Sequence, residues 1–267
     1  MSNISIVTAF FDIGRGEWTP EKGLPHYLQR SNDTYLERFS HLASLDNEMV
    51  IFTSPEFETK IQILRVNKPT KIIAIDFNQL VNSQLKSMIE SVQQDPGFIE
   101  KINPTQIKNP EYWNADYVIV NLMKSFFVNQ AISLGEITNE LVAWLDFGYC
   151  RNKDTLNGVT NWNYNFNKEK IHFFNLKNYV EGSFIQDIIA NNDVHITGPC
   201  IVASQKNWGV LDNLVKYSIE HLLLNNLIDD DQTILLMSYL LKPELFELHK
   251  VSEQDWFVAF KEYAILP

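Results

Sequence analysis

The chain has 267 residues, 45% of them hydrophobic and 12% aromatic, which suffices for one large domain or two small ones with a substantial core. Its formal net charge of −11 argues against a nucleic-acid backbone as the main partner, but leaves room for a nucleotide, which needs only a few local donors or one metal ion. Cys150 and Cys200 are too few and too far apart for a metal motif or a disulfide framework, which points to a reduced, cytoplasmic setting; residues 1–5 lack the character of a signal peptide, and no apolar run reaches the ~20 residues of a membrane helix.

Residues 4–11 are mostly β-branched or aromatic and read as a buried first strand. Asp12-Ile13-Gly14-Arg15-Gly16 follows at once. Two glycines around an arginine suit a loop that approaches a phosphate, and equally an ordinary turn with a solvated arginine. Residues 33–45 read as a helix with Leu36, Phe39, Leu42 and Ala43 on one face. Residues 49–53 form a second strand, 60–66 a further strand or the start of a loop, and 72–75 a third strand that ends on Asp76. This order of strands and helices predicts an α/β fold with a mostly parallel, Rossmann-type sheet flanked by helices. Residues 80–92 are an amphipathic helix. The polar, proline-bearing stretch 93–113 reads as a long loop, of the kind that serves as a lid or acceptor loop.

Residues 114–134 read as one long helix in which Lys124 stands alone among apolar neighbours. A charge there is paired, aimed at a cleft, or snorkels to the surface. The run 141–145 then ends on Asp146, with Gly148 two residues later. A buried strand that stops on Asp and turns at Gly puts an acid at the carboxyl edge of a sheet, where α/β folds place ligands; an Asp that merely turns the strand end gives the same pattern. The Asn-rich stretch 151–167, with Trp162 and Tyr164, suits an exposed hairpin able to stack on a sugar ring, or a plain surface hairpin. Residues 171–176 are a strand, and 194–203 a strand interrupted by Gly198-Pro199, the mark of a bulge or a close backbone approach. Residues 208–224 form an amphipathic helix. Asp229-Asp230-Asp231-Gln232 precedes an apolar helix over 233–241. One Asp caps a helix; three exceed that need, so one of them is a candidate catalytic carboxylate.

The order of these motifs carries a resemblance. Thr8-Ala9-Phe10-Phe11-Asp12-Ile13-Gly14-Arg15, Trp144-Leu145-Asp146-Phe147-Gly148-Tyr149-Cys150-Arg151, Thr197-Gly198-Pro199, Asp230-Asp231-Gln232 and a late Trp256 are similar to the HtrL/YibB (WlaTC-type) family of bacterial surface-glycan proteins, over nearly the whole chain. The resemblance implies a single GT-A-like glycosyltransferase domain over 1–267, which takes a hexose (galactose or glucose) from a UDP-linked donor to a lipopolysaccharide, lipooligosaccharide or capsule acceptor. The working place it implies is the cytoplasm, with a peripheral contact at the inner membrane. It implies that Asp146, where an Asp-X-Asp motif would fall without its second acid, holds Mn²⁺ or Mg²⁺ with His249. Thr8, Phe10, Asp12 and Arg15 would embrace the nucleotide, with Asp76 on ribose or base, Lys124 on the diphosphate or Asp146, Gly198 close to a sugar, and Gln232 on a sugar hydroxyl. Asp231 or Asp230 would be the base of an inverting reaction, or would bind the donor sugar in a retaining one. The alternatives are a nucleotide- or glycan-binding protein without transfer, favoured by the missing second acid, and a glycoside hydrolase built on Asp146 and Asp231. The hydrolase leaves Arg15 and Lys124 without a task.

Overall fold

The computed structural model describes residues 3–265. Strand β1 (Ile4–Phe10) is buried along nearly its whole length, as its β-branched composition requires. It is followed by α1 (Asn32–Leu42), β2 (Met49–Thr53), α2 (Pro55–Leu64), β3 (Thr70–Ala74), α3 (Phe77–Leu80), α4 (Ser83–Gln94) and α5 (Pro96–Ile99). Next come α6 (Ala115–Leu122), α7 (Lys124–Ser133), β4 (Leu141–Leu145), β5 (Ile171–Asn175) and α8 (Ile185–Asn191). The chain continues through β6 (Ile196–Ser204), α9 (Gln205–Leu224), α10 (Asp231–Leu241), β7 (Phe246–Lys250) and α11 (Ala259–Glu262). Among the described residues the strands form one sheet in the order β3-β2-β1-β4-β6-β5-β7. Only β6 runs against its neighbours; the other pairings are parallel. The expected α/β, mostly parallel, Rossmann-like sheet is what the chain forms.

Helices cover both faces of the sheet. Leu36 and Phe39 of α1, Phe57 and Ile61 of α2 and Phe260 of α11 pack on the side of Ile4, Ile6 and Leu145. Residues of α4, α6, α7, α9 and α10 pack on the opposite side, over Val7, Val142 and Trp144. From β1 the chain steps to β2 and β3 on one side, whereas β4 lies on the other side of β1. The carboxyl ends of β1 and β4 therefore flank the point where the strand order reverses, the place where open α/β sheets hold ligands.

Four readings are corrected. Residues 60–66 belong mainly to α2, not to a strand: Pro55 starts the helix, Glu56 and Glu58 complement its first turn, and Phe57 and Ile61, four apart, face the core. The stretch 93–113 is not a structureless loop. It holds the end of α4, α5 and a 3₁₀ turn at Pro110–Tyr112, and it buries Gln93, Phe98, Ile102 and Tyr112. The long helix over 114–134 is broken at Met123, whose ψ of 2° ends α6 and leaves Lys124 as the first residue of α7. Trp162 is fully buried, its Nε1 donating to the Tyr263 carbonyl at 2.7 Å, so it offers no face to a sugar.

Strand β6 runs unbroken through Gly198-Pro199, yet its pairing with β5 shifts there, from Phe173↔Ile201 to Phe174↔Thr197. The expected bulge is present. Proline brings no N–H to the ladder, and the irregular pairing with β5 spans its position. The Pro199 carbonyl on the β4 side still accepts from the Asp146 amide at 3.0 Å.

Candidate functional site

The break at Met123 turns the Lys124 side chain toward the carboxyl end of β4. Its ammonium lies 2.9 Å from Asp146 Oδ1 and 2.7 Å from Asp231 Oδ2, and donates to the Gly198 carbonyl at 2.9 Å. Lys124 is buried. Burial alone would lower its pKa; Asp146 and then Asp231 overcome that and hold the ammonium above the ordinary lysine value. Trp144 Nε1 donates to the same Asp146 Oδ1 at 2.8 Å. Both contacts fall on one oxygen, and the Asp146 side chain stays 39% exposed.

The turn after Asp146 is anchored by its own residues. Phe147 is sandwiched between Phe39 (ring centroids 4.1 Å apart) and Phe10 (4.8 Å). The Tyr149 amide donates back to the Asp146 carbonyl at 2.8 Å. Gly198 completes the arrangement. A Cβ on it would stand 1.6 Å from Asp231 Oδ2 and 3.0 Å from Lys124 Nζ, so only glycine admits this ion pair.

In front of Asp146 opens a cleft of about 160 Å³ between the ends of β1 and β4. Arg15, Arg30, Lys124, Asp12, Asn32, Tyr35, Tyr117, Asp146 and Arg151 contribute its polar lining. Arg15 is held by the Leu28 carbonyl and by the Tyr35 hydroxyl at 2.8 Å, with its guanidinium 5.2 Å above the Trp18 ring. Arg151 rests 4.4 Å over Phe257. Arg38, three residues after Tyr35 on α1, stands behind Gly148, and its Nη1 has no hydrogen-bond partner among the described residues. These cations feel one another. Burial, then Arg38 and Arg30, lowers Arg151 to about 10 although its surface reaches solvent, and burial, then Arg30, lowers Arg38. A chain of net charge −11 thus gathers four guanidinium groups at one sheet edge. Such a concentration stabilises a multiply charged anion, and arginine's planar fork suits phosphate oxygens.

Behind the cleft lie further acids. Asp230 caps α10 by accepting from the Gln232 amide at 3.0 Å. Asp229 accepts from Thr233 Oγ1 at 2.6 Å. Burial, then the charges of Asp231 and Asp229, raises Asp230; burial raises Asp231, against the opposing pull of Lys124. Burial pushes Asp229 up to about 7, and burial, then Asp229, pushes Glu111 up to about 8. These groups keep a proton in the fold at a pH where the unfolded chain has lost it, so stability falls as pH rises from the unfolded value toward the folded one. Glu111→Gln is therefore expected to be more stable than the wild type by about 2 kcal/mol at pH 8, an advantage that disappears near pH 4.5, where both chains carry a neutral side chain. Melting curves across pH 4 to 8 check it; an advantage that persists at pH 4.5 would contradict the burial argument.

The structure brings together Asp146, Lys124, Gly198 and Asp231, with Asp230 and Gln232 next in the chain, and places Phe10, Asp12 and Arg15 in the cleft wall. Gly198 lies against Asp231 and Lys124. Phe10 is buried against Tyr35, Phe57 and Phe147, so it has no free face for a base. Asp231 and Asp230 are buried behind the cleft. Asp12 accepts from the Gly14 amide and from Asn32 Nδ2, and is exposed. Thr8 is buried within β1, Asp76 caps α3 on the Asn78 amide, and neither lines the cleft. His249 sits on β7, three strand spacings or about 14 Å from β4. It cannot share a metal ion with Asp146.

Sequence reasoning missed Arg30, Arg38, Glu111 and the role of Arg151. Only Arg151 carried a signal, three residues after Gly148 in the motif that follows β4.

Residues 2–265 match the family described as "Bacterial protein of unknown function (HtrL_YibB)". The chain is also 41% identical, over 263 residues, to "Protein HtrL" of Escherichia coli (strain K12), a match that covers 97% of this chain and 92% of that protein.

Proposed function

The chain belongs to the HtrL/YibB family of bacterial proteins, and from that premise we propose that it is a glycosyltransferase. It moves a hexose, galactose or glucose, from a UDP-linked donor to a lipopolysaccharide, lipooligosaccharide or capsule acceptor. One observation carries the reading: an acidic protein lines one cleft with Arg15, Arg30 and Arg151, sets Arg38 behind the Gly148 of its wall, and floors it with the Asp146–Lys124 pair that the buried Asp231 anchors. A nucleoside diphosphate leaving group is the kind of anion such a cleft neutralises, and neutralising it is the main demand of sugar transfer.

In this mechanism Arg15, Arg30 and Arg151 meet the phosphates, and Arg38 adds its positive charge from behind Gly148. Asp12, with Asn32, receives ribose hydroxyls. Asp146 is the carboxylate at the reacting end. Its Oδ2, free of the Lys124 and Trp144 contacts, accepts a hydroxyl of the sugar or its proton. Asp231 acts through Lys124, which it anchors, and Asp230 fixes the start of α10. The side chains fit a divalent cation in a limited way. Mn²⁺ or Mg²⁺ would be held by Asp146 with donor phosphates and water completing its shell, and when bound would supply further charge neutralisation at the diphosphate.

The reading is consistent with work in the cytoplasm on a lipid-linked acceptor at the inner membrane; among the described residues no helix is long and apolar enough to cross a membrane. The second reading, a nucleotide- or glycan-binding protein without transfer, draws on the same ion pair, since Lys124 already occupies the acid a metal would use.

A melting screen with UDP, GDP, CMP and their sugars, with and without Mn²⁺, tests the proposal. UDP at about 100 times its Kd is expected to add about 2.7 kcal/mol of stability. Arg30→Ala and Arg151→Ala are each expected to weaken UDP about 10- to 100-fold, the scale of a lost charge-assisted contact. No stabilisation by any nucleotide would overturn the reading.

A further inference from the structure

At the far edge of the sheet, parallel pairing sets His172 of β5 opposite Glu247 of β7, and Phe174 opposite His249. Residues two apart on a strand share a face, so His172, Glu247 and His249 project to one side. One ligand atom from each lies within 4.8 Å of the others. His172 Nδ1 and His249 Nε2 are 2.9 Å apart, and Glu247 Oε2 is 3.8 Å from His172 Nδ1.

The tautomer of His172 is fixed by its other side. Nε2 lies 2.9 Å from the Asn167 carbonyl, which can only accept, so Nε2 carries the hydrogen and Nδ1 presents a lone pair toward His249. A second atom that orients a ligating imidazole in this way is the usual companion of a metal site. Phe166, Phe174 and Tyr263 wall the two imidazoles, while Glu247 stays 47% exposed.

We propose that His172, Glu247 and His249 form a site for a transition-metal ion of the Zn²⁺ class, separate from the cleft, that ties the edge strand β7 to β5. Two imidazoles and a carboxylate suit zinc and its neighbours rather than Mg²⁺ or Ca²⁺. With zinc–nitrogen distances of about 2.0–2.1 Å in a tetrahedral shell, the two nitrogens would stand about 3.3 Å apart, a small opening from the hydrogen-bonded pair. The exposed side of Glu247 leaves the fourth position to water.

Zinc titration of the whole chain by calorimetry, with ZnCl₂ as the probe, tests this. One saturable site is expected, weakened at least about 100-fold in His249→Gln and about 10-fold in Glu247→Gln, and unchanged in Asp146→Asn. Glu247 is on the surface, so its variant keeps the proposal testable if His249→Gln fails to fold. Co²⁺ in place of Zn²⁺ is expected to give the visible absorption of a tetrahedral ion. Absence of saturable binding, or binding indifferent to Glu247→Gln, would overturn the site and leave the histidines as a hydrogen-bonded pair. Zinc binding lost only in Asp146→Asn would do the same and would place the ion in the cleft.

Discussion

Gly198→Ala is expected to destabilise the protein by about 3–5 kcal/mol, the cost of breaking a buried ion pair from one side. The added Cβ would lie 1.6 Å from Asp231 Oδ2, which no rotamer adjustment of the methyl can relieve, because alanine has none. Either the carboxylate leaves Lys124 or β6 moves away from α10. The first strands a charge in the core, since Asp231 and Lys124 are buried and burial already disfavours the charged carboxyl, and the second takes the Gly198 carbonyl from the Lys124 ammonium and opens the buried packing of β6. For a chain of this size, about 2–4 °C of melting temperature accompanies each kcal/mol, so a drop of about 10 °C is expected. Gly16→Ala is the control. Its added Cβ meets nothing closer than 4.0 Å, and a change within about 0.5 kcal/mol is expected. Equal stability of the two variants would refute the close approach at Gly198.

Lys124→Met is expected to cost a similar 3–5 kcal/mol at pH 8, but with a distinctive pH dependence. Methionine leaves Asp146 and the buried Asp231 facing each other with no cation between them. Lys124 is the main influence that lowers Asp231, and burial and Asp146 both raise it, so in the variant the carboxyl takes its proton at a higher pH. The unfolded chain ionises near 3.8, the ordinary value. Between that pH and the raised folded value the fold holds the extra proton, and its stability falls with rising pH. In the wild type, the stability contributed by Lys124 is complete below the ordinary lysine value of 10.5 and is lost only as pH climbs through the raised folded one. The gap between variant and wild type is therefore small near pH 4 and full at pH 8. Denaturant midpoints at the two pH values read it directly; a gap independent of pH would mean that Lys124 matters for packing alone.

Much of the frame could be read from residues. The apolar runs at 4–11, 49–53, 141–145 and 171–176 became strands because continuous burial leaves a plain pattern. Asp146 stands at the sheet edge because the chain turns directly after β4. Lys124, solitary among apolar neighbours, stood out as a charge that is paired, faces a cleft or snorkels; its partners are Asp146, which the sequence had offered, and Asp231, which it had singled out for another reason. The arginine set was hidden because arginine on an amphipathic helix, as at Arg38, has the same local pattern whether it faces solvent or a cleft. Long-range register was equally hidden. Nothing near His249 announces that β7 would pair in parallel with β5 and set it beside His172. The polar composition of 93–113 masked short helical turns whose few apolar residues, Phe98 and Ile102, carry the burial. Trp162 was misjudged for a related reason: its asparagine-rich neighbours suggest a surface, whereas the C-terminal segment covers it.

The most direct test of the account is consumption of the donor. With UDP-galactose or UDP-glucose alone, the wild type is expected to release UDP slowly, water standing in for the acceptor, and faster when lipopolysaccharide is added. Asp146→Asn is expected to lose about 10²–10³-fold of that rate while still binding UDP through the arginines. A wild type that binds UDP yet consumes no donor, or an Asp146→Asn chain that consumes it at the wild-type rate, would contradict the account; the first outcome would identify a binding protein without transfer, and the second would move the chemistry away from Asp146.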